Sequence, residues 1–216
     1  MGITKKYGLL WLALYLLMSS CSQLSSFQTG KTLGKNKVEI GGAALVYTLR
    51  EDIYGSLNML PLPHSRLWMQ YGLAEKLDLG LSGSTGGNIT LNTKWQFVGD
   101  ASSKWAASLG ANTEYQLTDE LAGVLRFHAP VYGSFHPNEK MAYYVTPRYV
   151  LQYVKNDDNN HFLGSALGVQ TALSNSWLLS FETGLHYPFN ANFTPIDDSY
   201  IFQIGVGLKY RFNFRD

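Results

Sequence analysis

The chain has 216 residues, enough for one domain of ordinary size, and a formal net charge of only +1. Charged residues make up 15% of the sequence, against roughly 25% in typical soluble domains, while aromatic residues reach 14% and glycines number 21. A chain this close to neutral offers no broad basic surface for phosphates, so nucleic acid is not an expected partner. Abundant Gly and Tyr with few charges are typical of strands whose faces meet lipid and a polar interior in turn.

Residues 1–20 have the three parts of a signal peptide. Lys5 and Lys6 form the positively charged N-terminal region, residues 7–18 are uncharged and mostly apolar, and two small serines follow. As a helix, twelve residues span about 18 Å, short of the roughly 30 Å hydrocarbon core of a bilayer. We therefore expect a cleaved export signal. Two of the 17 basic residues lie in it, which leaves 15 basic against 16 acidic residues.

The only cysteine, Cys21, follows this segment directly. The stretch Leu17-Met18-Ser19-Ser20-Cys21 resembles the lipobox of bacterial lipoproteins, although Met18 stands where that family most often has Leu. The resemblance implies acylation of Cys21, with palmitate-type chains, and attachment to the bacterial outer membrane. Residues 22–36 are polar without clear periodicity, so we expect residues 21–36 to be a lipidated tether to the folded part.

From residue 37 onward, period-2 alternation recurs between turn residues, which predicts strands. The clearest is 199–214, where even-numbered positions from Tyr200 to Phe214 are apolar and the odd-numbered ones are mostly polar or Gly. Sixteen residues is long for a soluble strand, whereas about 9–11 tilted residues cross a bilayer. The other predicted strands are 37–49, 66–73, 77–84, 88–98, 105–116, 121–132, 141–155, 161–173 and 177–187.

The predicted architecture is an all-β, antiparallel, up-and-down transmembrane β-barrel of about ten strands over residues 37–216; merging two faint strands gives eight. Short turns fall at one end (74–76, 99–104, 133–140, 174–176), and the two longest connections, 50–65 and 188–198, fall at the other. A soluble β-sandwich also alternates and stays open as the alternative. Tyr and Trp at strand ends favour the membrane. The candidates for interfacial girdles are Tyr71, Trp95, Trp105, Tyr143, Tyr153, Trp177, Tyr187 and Tyr200.

These features resemble those of small bacterial outer-membrane barrel proteins, and the spacing after Cys21 is similar to uncharacterised barrel lipoproteins of spirochaetes and Bacteroidetes. The resemblance implies fold and location, with no activity attached. It also implies outer-membrane lipid and lipopolysaccharide as surroundings.

The inward face of such a barrel carries charges of both signs, six basic and four acidic. The predicted polar network of the lumen is Glu39, Arg66, Asp78, Lys94, Glu114, Arg126, Arg148, Glu182, His186, Lys209 and Arg211. Paired charges filling the lumen explain the mixed signs, because an unpaired buried charge is costly. A narrow conduit with mild anion preference is the alternative.

Catalytic chemistry has one candidate set, Ser134, His136 and Glu139, which the sequence places in a turn. We expect loop residues without a shared task there, and therefore no enzyme. No metal-ligand spacing or phosphate-binding loop is present, so no cofactor or metal is expected. The preferred function is a structural or surface-interaction role through loops 50–65 and 188–198, where Phe189 and Phe193 offer apolar contacts. The alternatives are a narrow channel for small or apolar solutes and, third, a lipid-modifying enzyme.

Overall fold

The computed structural model describes residues 24–53, 56–117, 123–154, 159–194 and 200–213, with side chains of residues 49–60 excepted. The predicted signal peptide and Cys21 lie outside this part. Ten strands are present: β1 (Lys37–Ile53), β2 (Ser56–Ala74), β3 (Leu77–Ser84), β4 (Asn88–Val98), β5 (Trp105–Gln116), β6 (Val124–Asn138), β7 (Met141–Val154), β8 (Asn160–Ala172), β9 (Trp177–Phe189) and β10 (Tyr200–Asn213). Over the described ranges, no helix is both long and apolar enough to cross a bilayer.

Every strand pairs antiparallel with its neighbours in sequence, and β1 closes the sheet against β10. The closing seam runs without interruption from Lys37 opposite Asn213 to Arg50 opposite Tyr200. The prediction of a ten-stranded, up-and-down antiparallel barrel is therefore confirmed. Closure pairs β1 with β10, so the barrel has no seam with two unpaired edges.

Residues 50–65, predicted as a long outer loop, instead continue β1 and β2 as a hairpin up to Ile53 opposite Ser56. Pro61 and Pro63 lie in this extension of β2, although proline lacks the N–H that a strand interior needs. However, β3 pairs with β2 only as far as Ser84 opposite Arg66. Before residue 65, β1 is the only described strand that pairs with β2, and a strand edge outside a ladder tolerates proline.

The turn predicted at 133–140 is also wrong, because β6 runs to Asn138 and only residues 139–140 form the turn. The register with β7 shifts between Phe135 and Asn138. This irregularity accommodates Pro137, which cannot donate to a regular ladder. Gly133 pairs with Val145 inside the strand.

The distribution of polar and apolar side chains in the barrel is the reverse of that in a soluble protein. Polar side chains such as Glu114 and Gln203 are fully buried, while large apolar side chains such as Leu67 (71% exposed) and Leu163 (56% exposed) point outward. A soluble sandwich would bury the apolar face of its strands between the sheets. The outward apolar surface is what lipid requires, so the sandwich alternative does not apply.

Outward aromatic side chains form two belts. Four strands carry one aromatic residue at each end of a ten-residue interval, which corresponds to about 33 Å along a strand and about 23 Å along the membrane normal at a tilt of about 45°. That height matches the roughly 25 Å apolar band of outer-membrane barrels. The short connections predict that the end where β1 begins faces the periplasm, and we call it the periplasmic end. The pairs, with the residue nearer this end first, are Trp105 and Tyr115, Tyr143 and Tyr153, Trp177 and Tyr187, and Tyr210 and Tyr200.

The turn between β4 and β5 is ordered by Asp100. Its Oδ1 accepts hydrogen bonds from the backbone N–H of Ser102 (2.8 Å) and Ser103 (2.9 Å) and from both serine hydroxyls. The side-chain bonds first, then the backbone ones, lower the pKa of Asp100 to about 2. The turn is thus rigid without burial.

Candidate functional site in the lumen

All eleven residues of the predicted polar network face the interior. Ten of them are at most 5% exposed. Arg211 is the exception: its side chain is 36% exposed and donates to Glu39 at the periplasmic end, where β1 begins and β10 ends.

Ion pairs account for part of this network. Lys94 Nζ lies 3.3 Å from Asp78 Oδ2, and Arg211 Nε lies 2.7 Å from Glu39 Oε2. Higher in the lumen, Glu114 contacts both Arg126 Nη1 (2.7 Å) and His128 Nε2 (3.2 Å). Lys209 instead donates to the amide oxygen of Gln170 at 2.6 Å. Such pairing offsets the cost of removing these charges from water.

The N-terminal segment, residues 24–33, occupies the middle of the lumen, and we call it the plug. Its residues 24–30 are all buried, with Leu24 at 1% and Phe27 at 0% exposure. The sequence predicts a tether outside the folded part here, so the structure corrects that prediction for the described residues. One signal was available: no charged residue occurs between Cys21 and Lys31, as a segment buried in a protein requires.

The plug has no regular secondary structure, so side chains of the wall must satisfy its backbone. Its backbone N–H groups donate to acceptors on four strands. The donors and acceptors are Ser26 and Phe27 to Glu182, Gly30 to Ser134 Oγ, Thr32 to Gln96 Oε1, and Leu33 to Asp78. Carbonyl groups of the plug are held as well: Ser25 O accepts from Arg66 Nη1 at 2.6 Å and Lys31 O from Lys94 Nζ at 2.8 Å.

Glu182 is the central anchor. Its Oε2 accepts from Phe27 N (2.7 Å), Ser26 Oγ (3.1 Å) and Tyr144 OH (3.1 Å), and its Oε1 accepts from Ser26 N (2.9 Å) and Gln203 Nε2 (3.2 Å). Five donors on one carboxylate, three of them from the plug, are charge-assisted bonds that are stronger than neutral ones. Glu182 therefore fixes the plug at the middle of the barrel.

Close packing of the plug against the barrel wall adds to these hydrogen bonds. The ring of Phe27 stacks on Trp68 with centroids 6.1 Å apart and lies over Gly205 and Gly207 of β10. A Cβ on Gly207 would meet that ring at 3.0 Å, and a Cβ on Gly30 would lie 2.4 Å from the carbonyl oxygen of Ala106. Glycine at these positions lets the plug pass close to the wall.

The outer end of the plug enters an apolar cluster. Leu24 belongs to one buried group with Leu45, Tyr47, Leu62 and Ile201. Ile201 follows Tyr200 of the outer aromatic belt. Leu24 therefore lies in the outer half of the membrane.

The structure brings two of the three candidate catalytic residues together. Ser134 Oγ lies 2.9 Å from His136 Nε2, because both side chains leave the same face of β6. Glu139 is exposed in the following turn. Ser134 Oγ also accepts the N–H of Gly30, so the plug covers the oxygen that a nucleophile would use. Among the described residues, no group of three His, Cys, Asp or Glu side chains is placed to hold a metal.

A second cluster lies on the outside, near the outer belt. Phe193, 60% exposed, stacks on the ring of His161 with centroids 4.1 Å apart. Tyr149 OH contacts His161 Nδ1 at 2.7 Å. The side chain of Asn190 accepts the N–H groups of Asn192 and Thr194, which folds the start of the β9–β10 connection over β8. We call Tyr149, His161 and Phe193 the outer aromatic cluster.

Polar residues inside, apolar residues outside, two aromatic belts and full closure define a transmembrane β-barrel of the bacterial outer-membrane type. No protein-family model matches the sequence, and no curated protein matches it. Solved structures do match in fold. The outer-membrane protease OmpT from Escherichia coli aligns with a TM-score of 0.50 at 11% identity, over 85% of this chain and 100% of that one.

Two further barrels of different kinds align less well. An outer-membrane channel from Pseudomonas putida F1 gives a TM-score of 0.48 at 12% identity, over 84% of this chain and 97% of that one. The attachment invasion locus protein Ail of Yersinia pestis gives 0.39 at 12% identity, over 82% and 99%. The alignment with OmpT, at a TM-score of 0.50, shows a shared barrel fold, which supports a place in the bacterial outer membrane. At 11% identity it says nothing about the activity of this chain.

Proposed function

We propose that this protein is a sealed outer-membrane barrel lipoprotein that works at its outer surface, where it binds lipopolysaccharide of the outer leaflet. The filled lumen carries the proposal, because passage of solutes is the main other use of a small barrel. The plug and the paired charges occupy the lumen from Asp78 at the periplasmic end to Leu24 in the outer half. A barrel of about eight strands is filled by side chains alone, and wide aqueous channels need about 16 strands.

The outer aromatic cluster supplies the contact. Phe193 and His161 sit on the lipid-facing side at the height of Tyr187 and Tyr200, whose rings lie 6.4 Å apart. Aromatic rings at this height meet the boundary between acyl chains and headgroups. Lipopolysaccharide has acyl chains and a headgroup that meet at this boundary. The exposed aromatic rings at the same height would therefore pack against lipopolysaccharide.

Lipopolysaccharide retained by the purified barrel tests this proposal. We expect Phe193→Ala to lower the lipopolysaccharide per barrel about fivefold at limiting lipid, which corresponds to about 1 kcal/mol for one aromatic contact. Phe181→Ala is the matched control, because Phe181 is 52% exposed on the lipid face in the middle of β9. Equal retention by wild type and both variants would contradict the proposal.

Acylation of Cys21 belongs to the same proposal and has a geometric consequence. Cys21 is three residues before Leu24, a reach of at most about 10 Å. Tyr47, beside Leu24 in the apolar cluster, is ten residues along β1 from Lys37, about 23 Å above the periplasmic end. A lipid on Cys21 could therefore enter the inner leaflet only if the plug left the lumen.

A gated conduit is the second candidate. The observation that favours it is the polar wall around the plug: if the plug left, Glu182, Arg66 and Lys94 would line a hydrated passage. Planar-bilayer recordings separate the two candidates. A sealed barrel predicts a silent wild type and a conducting variant that lacks residues 24–33. Opening events in the wild type would favour the conduit.

A further inference from the structure

The outer aromatic cluster includes a side chain presented by a five-residue loop, 190–194, at the start of the β9–β10 connection. The backbone N–H of Asn190 donates to Thr194 O at 3.0 Å, and that of Phe193 donates to Asn190 O at 3.0 Å. The side-chain Oδ1 of Asn190 accepts the N–H groups of Asn192 (2.9 Å) and Thr194 (3.0 Å). Four hydrogen bonds within five residues therefore fix the point from which the side chain of Phe193 projects.

The backbone of Phe193 has a conformation that aromatic residues rarely adopt. Its φ is 56°, in the left-handed region, where the Cβ of a bulky residue crowds the backbone. Strain of this kind persists only where the surrounding structure imposes it, and it is concentrated at ligand-binding sites. The ring gains little burial in return, because it remains 60% exposed. The strained loop is thus arranged to present this ring, which points to a ligand.

Three nearly parallel rings form the presented surface. The centroid of the Phe193 ring lies 4.1 Å from that of His161 and 6.5 Å from that of Tyr149, at interplanar angles of 25° and 13°. A hydrogen bond of 2.7 Å between Tyr149 OH and His161 Nδ1 holds the two underlying rings together. Because one face of the Phe193 ring packs on this stack, its opposite face is flat, apolar and accessible.

The surroundings of this accessible face are polar but uncharged. Asn192 and Thr194 are both exposed, and their hydrogen bonds within the described residues use backbone atoms only. The Asn192 amide and the Thr194 hydroxyl can therefore bond to a ligand. Within residues 149–154 and 159–194, the only Asp, Glu, Lys or Arg is Glu182, which holds the plug inside the barrel.

This combination fits a sugar ring better than an acyl chain or a phosphate. A pyranose has a face of C–H groups, which packs on a flat aromatic ring, and a rim of hydroxyl groups, which bond to amides and hydroxyls. An acyl chain would leave the Asn192 amide and the Thr194 hydroxyl unused. A phosphate calls for a cation, and the described parts of the strands that carry the cluster supply none beside it.

We propose that the outer aromatic cluster is a subsite for an uncharged sugar ring of lipopolysaccharide, which stacks on Phe193 and bonds through its hydroxyl groups to Asn192 and Thr194. This inference rests on the proposed binding of lipopolysaccharide and names the part of that molecule which the cluster recognises. The sugars of lipopolysaccharide lie directly outside its acyl chains. The cluster lies at the same level, beside the outer aromatic belt.

Deacylated and dephosphorylated lipopolysaccharide, which consists of the sugars alone, is the probe for the full-length barrel in detergent. We expect the probe to bind and to shift the amide NMR signals of residues 192–194, while the signal of Ser102 in the periplasmic turn stays unchanged. Phe193→Leu keeps an apolar side chain and removes the ring, so it should lower the affinity about fivefold. Phe193→Trp, which keeps a ring, should retain the affinity.

Two further variants make the test specific. Asn192→Ala leaves the aromatic stack in place and should weaken binding of the probe about threefold, because it removes one of the proposed hydrogen-bond partners. Phe181→Leu is the matched control for Phe193→Leu, because Phe181 is an exposed aromatic residue on the lipid face of β9 away from the cluster. It should bind the probe as tightly as the wild type.

The outcomes separate this inference from the proposed function. Equal retention of intact lipopolysaccharide by the wild type and Phe193→Ala would remove the proposed function and this inference together. If Phe193→Ala loses lipopolysaccharide but the wild type does not bind the probe, or Phe193→Leu binds it as tightly as the wild type, the sugar subsite is refuted and the proposed function stands. Equally tight binding of maltoheptaose, an unrelated sugar chain, would overturn the assignment to lipopolysaccharide.

Discussion

Glu182→Gln should release the plug while leaving the barrel closed. The substitution keeps the shape of the side chain and removes its negative charge. The amide also places N–H groups where one carboxylate oxygen accepted hydrogen bonds. With the remaining oxygen on the Phe27 side, Ser26 N loses its acceptor at 2.9 Å, whereas Gln203 can turn its unpaired Oε1 toward the new amide. One orphaned buried N–H costs about 1–3 kcal/mol, and loss of charge weakens the other bonds. We expect a total of about 2–4 kcal/mol.

Hydrogen exchange of the plug measures this cost directly. A loss of about 2–4 kcal/mol raises the open population, and with it the exchange rates of the Ser26 and Phe27 amides, by about 30- to 1000-fold. Amides in β7 and β8 should keep their protection, because the ladder is untouched. Glu139→Gln is the control, since Glu139 is exposed in a periplasmic turn. Unchanged exchange at residues 26 and 27 in Glu182→Gln would refute the role of Glu182 as the anchor.

Three shorter predictions address the membrane and the turn. Cys21→Ala protein should still fractionate with membranes if it is exported, because the apolar outer face attaches the barrel by itself; its recovery in the soluble periplasm would contradict this. Ile204→Arg, outward between Tyr200 and Tyr210, should lower the free energy of unfolding by about 2–4 kcal/mol in lipid, measured by urea titration in vesicles. The pKa of Asp100 is depressed to about 2, so its contribution to stability is present above about pH 4 and lost as the pH falls through 2; exchange of the Ser102 amide should accelerate only below about pH 3.

The strands are predicted well from the sequence, because each one depends on a local alternation of apolar and polar residues. Alternation fixes which side chains face lipid and which face the lumen, and a slip of one residue would exchange the two faces. The inward positions of Glu182, Arg66 and Lys209 therefore follow from period 2 alone. The prediction of a loop at 50–65 is wrong because β1 and β2 continue to pair with each other beyond the last β2 residue that pairs with β3, and the length of that hairpin is set by strand pairing rather than by the local pattern.

The plug could not be predicted in the same way. It has no periodicity, and its partners lie far away in sequence: Ser26 and Glu182 are 156 residues apart. Small, uncharged residues with Leu24 and Phe27 among them fit an exposed tether as well as a buried segment. What decides between the two is the width of the lumen and the acceptors placed around it, which only the closed barrel defines.

The plug also constrains the order in which the protein assembles. It is the first described part of the chain to leave the ribosome, yet its acceptors come from β3, β4, β6 and β9, which meet around it only when β10 has joined β1. Contacts of such long sequence separation form slowly, because the intervening loop must close first. Residues 24–33 can therefore reach their acceptors only after strands that are made later have closed, and a barrel closed without them in place would be hollow.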